Sequence, residues 1–362
     1  MKPTKKNAIT LAITLFFNAL AYSQVGIGTT SPSEILDVES SNATKTALDI
    51  NCTGAGDPLI HFQISGTAAF TVGVDNSDAD KFKIGTTAVE TSTALTIDAS
   101  QNVGIGITAP LSTLDVSGSL GLKVTSLSSA TTLSAAHNVV LASDAGGSFT
   151  ITLPAAASNA ARTYYIKKTN SSSDIITIDG NGAETIDGAT TLVLYIQNDA
   201  CRIVCDGSAW YVLEQHFTPH SAFMSNTADQ TIPNTTNTKL AFDNETYDYG
   251  NIADYTTNDR IDIKRAGRYL IVGSLRTNAV LDLGEGASID IKINNSTSPM
   301  NAWFESAASD QNVFVTGSII LNLAAGDYIE MYSWQNEGGD VTTGSGSNAY
   351  EDQTLMVTEL LH

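Results

Sequence analysis

Apolar and polar residues alternate with a period of two along much of the chain, which is the pattern of half-buried β-strands. The clearest run is 288–293, in which three isoleucines alternate with a serine, an aspartate and a lysine. Similar short runs occupy 260–264, 313–323, 328–334 and 354–360. A segment with this many short strands predicts a sandwich of two β-sheets over the C-terminal part of the chain.

The middle of the chain shows shorter runs of the same kind. They lie at 148–154, 164–168, 175–179 and 191–196, and the turn sequence DGNG follows the third at 179–182. Turns of this composition join strands tightly. A strand every 12 to 16 residues or so indicates a small β-domain or a β-helical section.

The N-terminal part contains a repeat. The sequence VGIGTTSP at 25–32 leads to LDV at 36–38, and VGIGITAP at 103–110 leads to LDV at 114–116. Glycine at every second position leaves one strand face bare, so that another backbone can approach closely. We expect partner chains to cover these bare faces, in a stacked, quasi-linear architecture.

Residues 25–119 resemble the stalk segments of phage-tail-fibre-like and adhesin-like bacterial surface proteins. The repeat carries this resemblance, together with the runs 70–77, 80–85 and 95–98. The segment from Thr150 to 210–212 resembles a connector module of tail-fibre-like proteins. In those families three chains commonly wind together, so the resemblance implies a trimer.

The segment from about Phe217 to His362 is similar to the globular head of the complement C1q and tumour-necrosis-factor superfamily. The matching pieces are AF at 222–223, TKLAFD at 238–243, YD at 247–248, AGRYLI at 266–271 and LAAGDY at 323–328. This resemblance implies a jelly roll that forms trimers and recognises ligands through its outer loops. No collagen-like Gly-X-Y run precedes the head, so the β-repeat stalk would have to supply the elongation.

The N-terminus predicts export. Three lysines within 2–6 precede an apolar run over 8–20, and Ala21-Tyr22-Ser23 fits a cleavage site. This is the pattern of a secretory signal peptide, and the run is shorter than the roughly 20 residues of a membrane span. The chain then divides into a signal peptide (1–23), a repeat stalk (24–119), a β connector (120–216) and a jelly-roll head (217–362). We expect an elongated all-β protein, secreted or at the cell surface.

Composition narrows the possible partners. Charged residues are 15% of the 362 residues, and 38 acidic against 18 basic residues give a formal charge of −20. That charge repels phosphate backbones, so nucleic acid is not an expected partner. Cys201 and Cys205 lie four apart in an apparent strand, too far for a disulfide, and are expected to be buried; Cys52 has no evident partner.

Catalytic motifs are not found, and we expect no enzyme. His216 and His220 have the spacing of a helical zinc pair, but Pro219 argues against a helix there, so a solvated hinge between connector and head is expected. No Gly-x-Ser-x-Gly elbow and no phosphate-binding Gly-Lys-Thr/Ser loop occurs in the sequence.

Two groups of side chains are candidate sites. Aspartates on turns suit calcium, and those of the head are Asp243, Asp248, Asp254 and Asp259; Asp75, Asp78 and Asp80 form another group. No other cofactor is expected, and ordinary solvated turn residues are the alternative. Trp303 and Phe304, in an expected loop, are candidate ligand-binding residues, although burial in the head or its trimer interface is the favoured interpretation, and the same applies to Tyr247 and Tyr269.

The sequence therefore predicts a homotrimeric fibre whose head binds a surface glycan or a protein, in the manner of an adhesin. One alternative is a structural spacer or matrix element whose head only starts assembly. A remote alternative is a glycan-degrading enzyme of the tail-spike kind, which would need paired carboxylates in a groove.

Overall fold

The computed structural model describes residues 25–27, 30–31, 33, 36–38, 49–307, 311–344 and 353–361, and the signal-peptide prediction lies outside them. These residues form strands, loops and two single 3₁₀ turns, Asn76–Asp78 and Ala156–Ser158, with no α-helix among them. The predicted all-β class is confirmed. No helix in the described part of the chain has the length and apolar character that a membrane crossing needs. The chain divides into two compact units, unit 1 (Met1–Gly121) and unit 2 (Leu122–His362).

Unit 1 contains a six-stranded sheet in the order β3-β4-β5-β6-β7-β8 and a separate pair, β1-β2. The strands described in this unit are β1 (Val25–Ile27), β2 (Leu36–Val38), β3 (Leu59–Ile64), β4 (Thr67–Asp75), β5 (Lys81–Gly85), β6 (Thr93–Ile97), β7 (Val103–Ile105) and β8 (Leu114–Val116). Each pair of adjacent strands from β3 to β7 is antiparallel, and β7 pairs with β8 in parallel.

Both copies of the sequence repeat form the same ladder. In each copy the VGI strand pairs in parallel with the LDV strand, Val25 opposite Leu36 and Val103 opposite Leu114. The connection between the strands is short for a parallel pair, which usually needs a dozen or more residues. The repeat is therefore a structural unit as well as a sequence pattern.

The first half of unit 2, the connector, coils between two sheets. Its strands are β9 (Val124–Leu127), β10 (Thr131–Thr132), β11 (Val139–Ala142), β12 (Phe149–Thr152), β13 (Thr163–Lys168), β14 (Ile176–Asp179), β15 (Thr191–Leu194), β16 (Ala200–Cys205) and β17 (Trp210–His216). Successive strands from β9 to β14 alternate between the sheets and stack in parallel, and β15 to β17 close the sheets antiparallel. Of the two predicted alternatives, a small β-domain or a β-helical section, this coil corresponds to the second.

Stacked apolar side chains fill the space between the connector sheets. Val140 lies beside Ile166 in one sheet and Ile151 beside Ile178 in the other, and all four are fully buried. Cys201 and Cys205 are buried on one face of β16 and form no disulfide, as predicted. A turn does form here, at 181–184, where the N–H of Glu184 donates to the carbonyl oxygen of Asn181. The prediction that it joins two strands tightly is wrong, because β14 and β15 are joined by the longer segment 180–190.

The second half of unit 2, the head, is a sandwich. Its strands are β18 (Ser221–Asn226), β19 (Thr231–Ile232), β20 (Thr238–Lys239), β21 (Asn244–Tyr249), β22 (Ala253–Asp254), β23 (Arg260–Asp262), β24 (Gly267–Leu281), β25 (Gly286–Ile293), β26 (Thr297–Glu305), β27 (Gln311–Leu323), β28 (Tyr328–Gln335), β29 (Val341–Thr342) and β30 (Gln353–Leu360).

The head strands form two large antiparallel sheets, β21-β18-β30-β24-β27 and β22-β23-β28-β25-β26, with β20 also on β28, and β19 and β29 form a separate antiparallel pair. The chain crosses repeatedly from one sheet to the other, which is the jelly-roll topology. The predicted alternation in β25 is confirmed, since Ile289 and Ile291 are fully buried while Asp290 and Lys292 point outward. Residues from both sheets form one hydrophobic core, including Ile271, Met331 and Val357.

Candidate interaction surfaces

One face of the six-stranded sheet in unit 1 is lined by apolar side chains, and we name it the apolar face. Its residues form rows across neighbouring strands. One row is Ile60, Val72, Ile84, Leu95, Ile105 and Val116; a second is Val74, Phe82, Ile97, Val103 and Leu114; Phe62 and Phe70 form a third. Large members of the rows remain exposed, with 56% for Phe62, 50% for Phe70 and 60% for Leu114.

The opposite face of this sheet is covered by loops of the same chain. A Cβ atom on Gly85 would lie 2.5 Å from the carbonyl oxygen of Ala88, and one on Gly104 would lie 2.5 Å from that of Ile107. The expected close approach of a backbone to the glycines is confirmed. At Gly85 and Gly104 the expectation that partner chains cover the glycines is wrong, because this chain's own loops already occupy that space.

Unit 1 buries polar groups where a core would be expected. Among the described residues, both hydrophobic core clusters lie in unit 2, and Val89 is the buried hydrophobic residue that unit 1 contributes. On the glycine side, the buried Lys83 ammonium lies 2.7 Å from Asp75 and 2.6 Å from Asp78. Burial alone would lower the pKa of Lys83, but the two carboxylates hold it above its ordinary value.

The sheet β21-β18-β30-β24-β27 of the head also has an outward face rich in apolar residues, which we name the apolar head face. Tyr247, Phe223, Met356 and Val272 lie in register across four of its strands. Leu270, Phe314 and Ile320 add to it, with Arg268 and Arg276 as its charged members. Phe314 and Ile320 are at least half exposed.

The outward face of the other head sheet, the aromatic head face, contains the predicted residue Trp303. The loop prediction is wrong, because Trp303 and Phe304 lie in strand β26 and so point to opposite sides of the sheet. Phe304 packs against the core, whereas Trp303 is 45% exposed. Its ring centroid lies 5.5 Å from that of Trp334 on β28, a neighbour that the sequence pattern did not single out.

The two tyrosines expected at a subunit interface are placed differently from each other. Tyr269 is fully buried in the head core, and its hydroxyl donates to the carbonyl oxygen of Arg265 at 2.7 Å. Tyr247 is half-buried on the apolar head face and stacks against Phe223. Only Tyr247 is therefore available to a partner from that face.

The four head aspartates each bind groups close to them in the fold. Asp243 accepts from the backbone of Thr227, Asp248 from Ile252 and Ala253, Asp254 from Asn258, and Asp259 from Phe242. No group of three or more acidic, histidine or cysteine side chains arranged for a metal occurs in the described residues. Calcium binding by these aspartates stays a prediction.

The segment that joins connector and head is packed, contrary to the expected solvated hinge. His216 is exposed, but His220 is fully buried, with Nδ1 3.1 Å from Glu359 Oε2. Glu359 holds His220 in this buried position, because the backbone N–H of His220 also donates to Glu359 Oε2, at 3.0 Å. The edge of the imidazole ring fills the space that a side chain on Gly250 would occupy.

Arg265 connects this segment to the connector, and we call the arrangement the Arg265 joint. Its guanidinium lies 3.0 Å from Asp199 of the connector and 3.1 Å from Glu359 of the head, and it stacks on Phe217. Tyr195 of the connector donates to the carbonyl oxygen of Lys264 at 2.8 Å. Burial alone would raise the pKa of Glu359, but hydrogen bonds from His220 and the charge of Arg265 hold it below its ordinary value.

No protein-family model and no curated protein matches this chain. Solved structures to which it is similar include the globular domain of zebrafish complement 1qA protein, at 12% identity and TM-score 0.26, over 40% of this chain and 95% of that one. A murine APRIL structure at pH 8.5 is 10% identical with TM-score 0.30, over 40% of this chain and all of that one. TM-scores below 0.5 do not establish a shared fold, so the jelly-roll assignment of the head rests on its strand order.

Proposed function

We propose that the chain is a secreted homotrimeric fibre protein whose head presents a ligand-binding surface. The observation that carries this proposal is the apolar face of unit 1. Soluble monomers rarely expose contiguous apolar patches larger than a few hundred Å². A sheet with one such face, and without a hydrophobic core among its described residues, needs a partner to bury that face.

Further copies of the same chain are the partner that fits. The apolar face carries no charged side chain in its three rows, so it offers a partner no charge to recognise. The head has a second exposed face rich in apolar residues, which also carries Arg268 and Arg276. Closed rotational assembly of identical copies is the usual way in which such a face is buried.

The aromatic head face remains for binding. It carries the exposed ring of Trp303 and the half-buried ring of Trp334 beside charged side chains such as Asp290 and Lys292, and mixed surfaces of this kind suit recognition rather than permanent burial. Three heads in one fibre add avidity, so each individual contact can be weak. We also propose that the N-terminal signal peptide directs export of the chain and that the protein is not an enzyme.

The test is the mass in solution of residues 24–362, measured by light scattering. The expected mass is three times that of the chain, and the double change Phe82→Glu and Met356→Glu, one on each apolar face, should shift it to that of one chain, because a buried unpaired carboxylate is costly. The control is Leu283→Glu, an exposed apolar residue in a turn of the head, which should leave the trimer intact. A monomeric parent chain would overturn the proposal.

A purely structural role is the second candidate, favoured by the apolar head face, which gives the head a part in assembly. In that case the head would bind nothing beyond other copies of itself. Met356→Glu on the apolar head face would abolish assembly under either role. A ligand found for the aromatic head face would exclude the purely structural one.

A further inference from the structure

Trp303 and Trp334 flank a small residue on the aromatic head face. Ser288 of β25 lies opposite Trp303 on one side and opposite Trp334 on the other. The two rings lean together above it, with centroids 5.5 Å apart and planes inclined by 37°. The three strands thus present a continuous aromatic surface two residues wide.

The exposed indole ring of Trp303 packs over Gly286. A Cβ atom on Gly286 would collide with Cζ2 of Trp303 and would lie 2.8 Å from its Cε2, so the indole occupies the space above Gly286. A ring fixed in this way is held in place before any ligand arrives. Pre-organisation lowers the entropy lost on binding.

Hydrogen-bonding groups lie one row further along the same face. Asp290 pairs with Asn301 on one side and lies opposite Tyr332 on the other. The Tyr332 hydroxyl is 3.0 Å from Asn295 Oδ1, and the Lys292 ammonium lies 3.7 Å from the centre of its ring. An aromatic strip therefore borders a strip of carboxylate, amide, hydroxyl and ammonium groups.

We propose that this surface binds a neutral glycan, with pyranose rings stacked on Trp303 and Trp334 and ring hydroxyls bonded to the Asp290–Asn301 strip. A pyranose has a face of C–H groups and a rim of hydroxyls, which matches the two strips. The net charge of −20 disfavours polyanions such as nucleic acids or acidic polysaccharides. This inference rests on the proposed ligand-binding role of the head.

The assembly leaves the surface accessible. The aromatic head face and the apolar head face belong to the two different sheets of the sandwich and point in opposite directions. Burial of the apolar head face between copies therefore leaves Trp303 in solvent.

Tryptophan fluorescence is the direct test, because the chain has three tryptophans and the third, Trp210, is fully buried in the connector. Cellohexaose and chitohexaose are titrated separately into residues 24–362, and at least one should give a saturable change in emission. Trp303→Ala should weaken this binding at least tenfold and Trp303→Phe much less. Tyr211→Ala, which removes an exposed aromatic ring from the connector, should leave it unchanged.

The inference is overturned if neither oligosaccharide binds at millimolar concentration, or if Trp303→Ala and Tyr211→Ala bind as the parent does. Light scattering on the same samples separates this failure from that of the assembly. A trimer that binds neither probe overturns only the glycan site. A monomer that binds one of them, and loses it with Trp303→Ala, supports the glycan site while the trimer proposal falls.

Discussion

Arg265 contacts two buried carboxylates that belong to different halves of unit 2, Asp199 of the connector and Glu359 of the head. Removing one partner of a buried ion pair leaves an uncompensated charge, which costs about 3–5 kcal/mol. We expect Arg265→Met to lower the free energy of unfolding by that amount, in guanidinium titrations followed by circular dichroism. Lys264→Met is the matched control, since its ammonium makes no ion pair in the described residues, and a similar loss there would contradict this role for Arg265.

The ionisation of Glu359 makes the stability of the Arg265 joint depend on pH. Its pKa is lower in the folded protein than its ordinary value of 4.5, so its carboxylate stabilises the fold fully above about pH 4.5. This stabilisation is lost as the pH falls through the lower, folded-state pKa. Unfolding measured from pH 6 to pH 2.5 should show it, and Glu359→Gln should flatten the profile while Glu214→Gln, an exposed control, should not. Equal profiles for Glu359→Gln and the parent would rule this contribution out.

At the scale of elements, the glycines of the repeat make room for the chain's own connections. Gly104 lies in β7, and a side chain there would press on the carbonyl oxygen of Ile107. We expect Gly104→Val to destabilise unit 1 by about 1–3 kcal/mol, the usual cost of overpacking. Hydrogen exchange at the β7 and β8 amides is the measurement, with Gly121→Ala, which meets no atom within 4 Å, as control. If the amides of Gly104→Val are as well protected from hydrogen exchange as those of the control, the loop at Ile107 can move aside without a loss of stability.

The strands could be predicted from the sequence, because the alternation of apolar and polar residues indicates which face of a strand is buried. The alternation in β25 gave its core face correctly, and the connector runs gave strands β12 to β15. This alternation does not indicate which part of the chain, or which partner, covers each face. In unit 1 it therefore separated the apolar side from the glycine side, but it assigned the wrong covering to the glycines.

The long-range contacts had no sequence signal. Arg265, Asp199 and Glu359 are far apart in the chain, and His220 was assigned to a hinge because Pro219 argues against a helix there. Trp303 was recognised as an aromatic candidate, but Trp334 and Gly286 enter the surface only through strand pairing. The order of the strands in the sheet determines which residues lie beside Trp303.

At the scale of the molecule, the two units differ in how they can be stable. Unit 2 holds both hydrophobic cores of the described chain, and the Arg265 joint ties its halves together. We expect residues 122–362 alone to fold and to unfold in one cooperative transition, measured by calorimetry. Two separate transitions would mean that connector and head are independent despite the joint.

Unit 1 should behave in the opposite way when it is isolated. Residues 24–121 expose the apolar face and bury ionic and hydroxyl groups such as Lys83 and Thr71, so a single copy gains little from the hydrophobic effect on folding. We expect this fragment to be unfolded by circular dichroism at micromolar concentration, and to gain β-structure only as its mass by light scattering rises to that of a trimer. In the full chain, the trimeric head supplies a high effective concentration of three copies, which makes the same folding favourable. A folded, monomeric fragment would show that the sheet is stable with its apolar face in water, and the need for partner copies would then disappear.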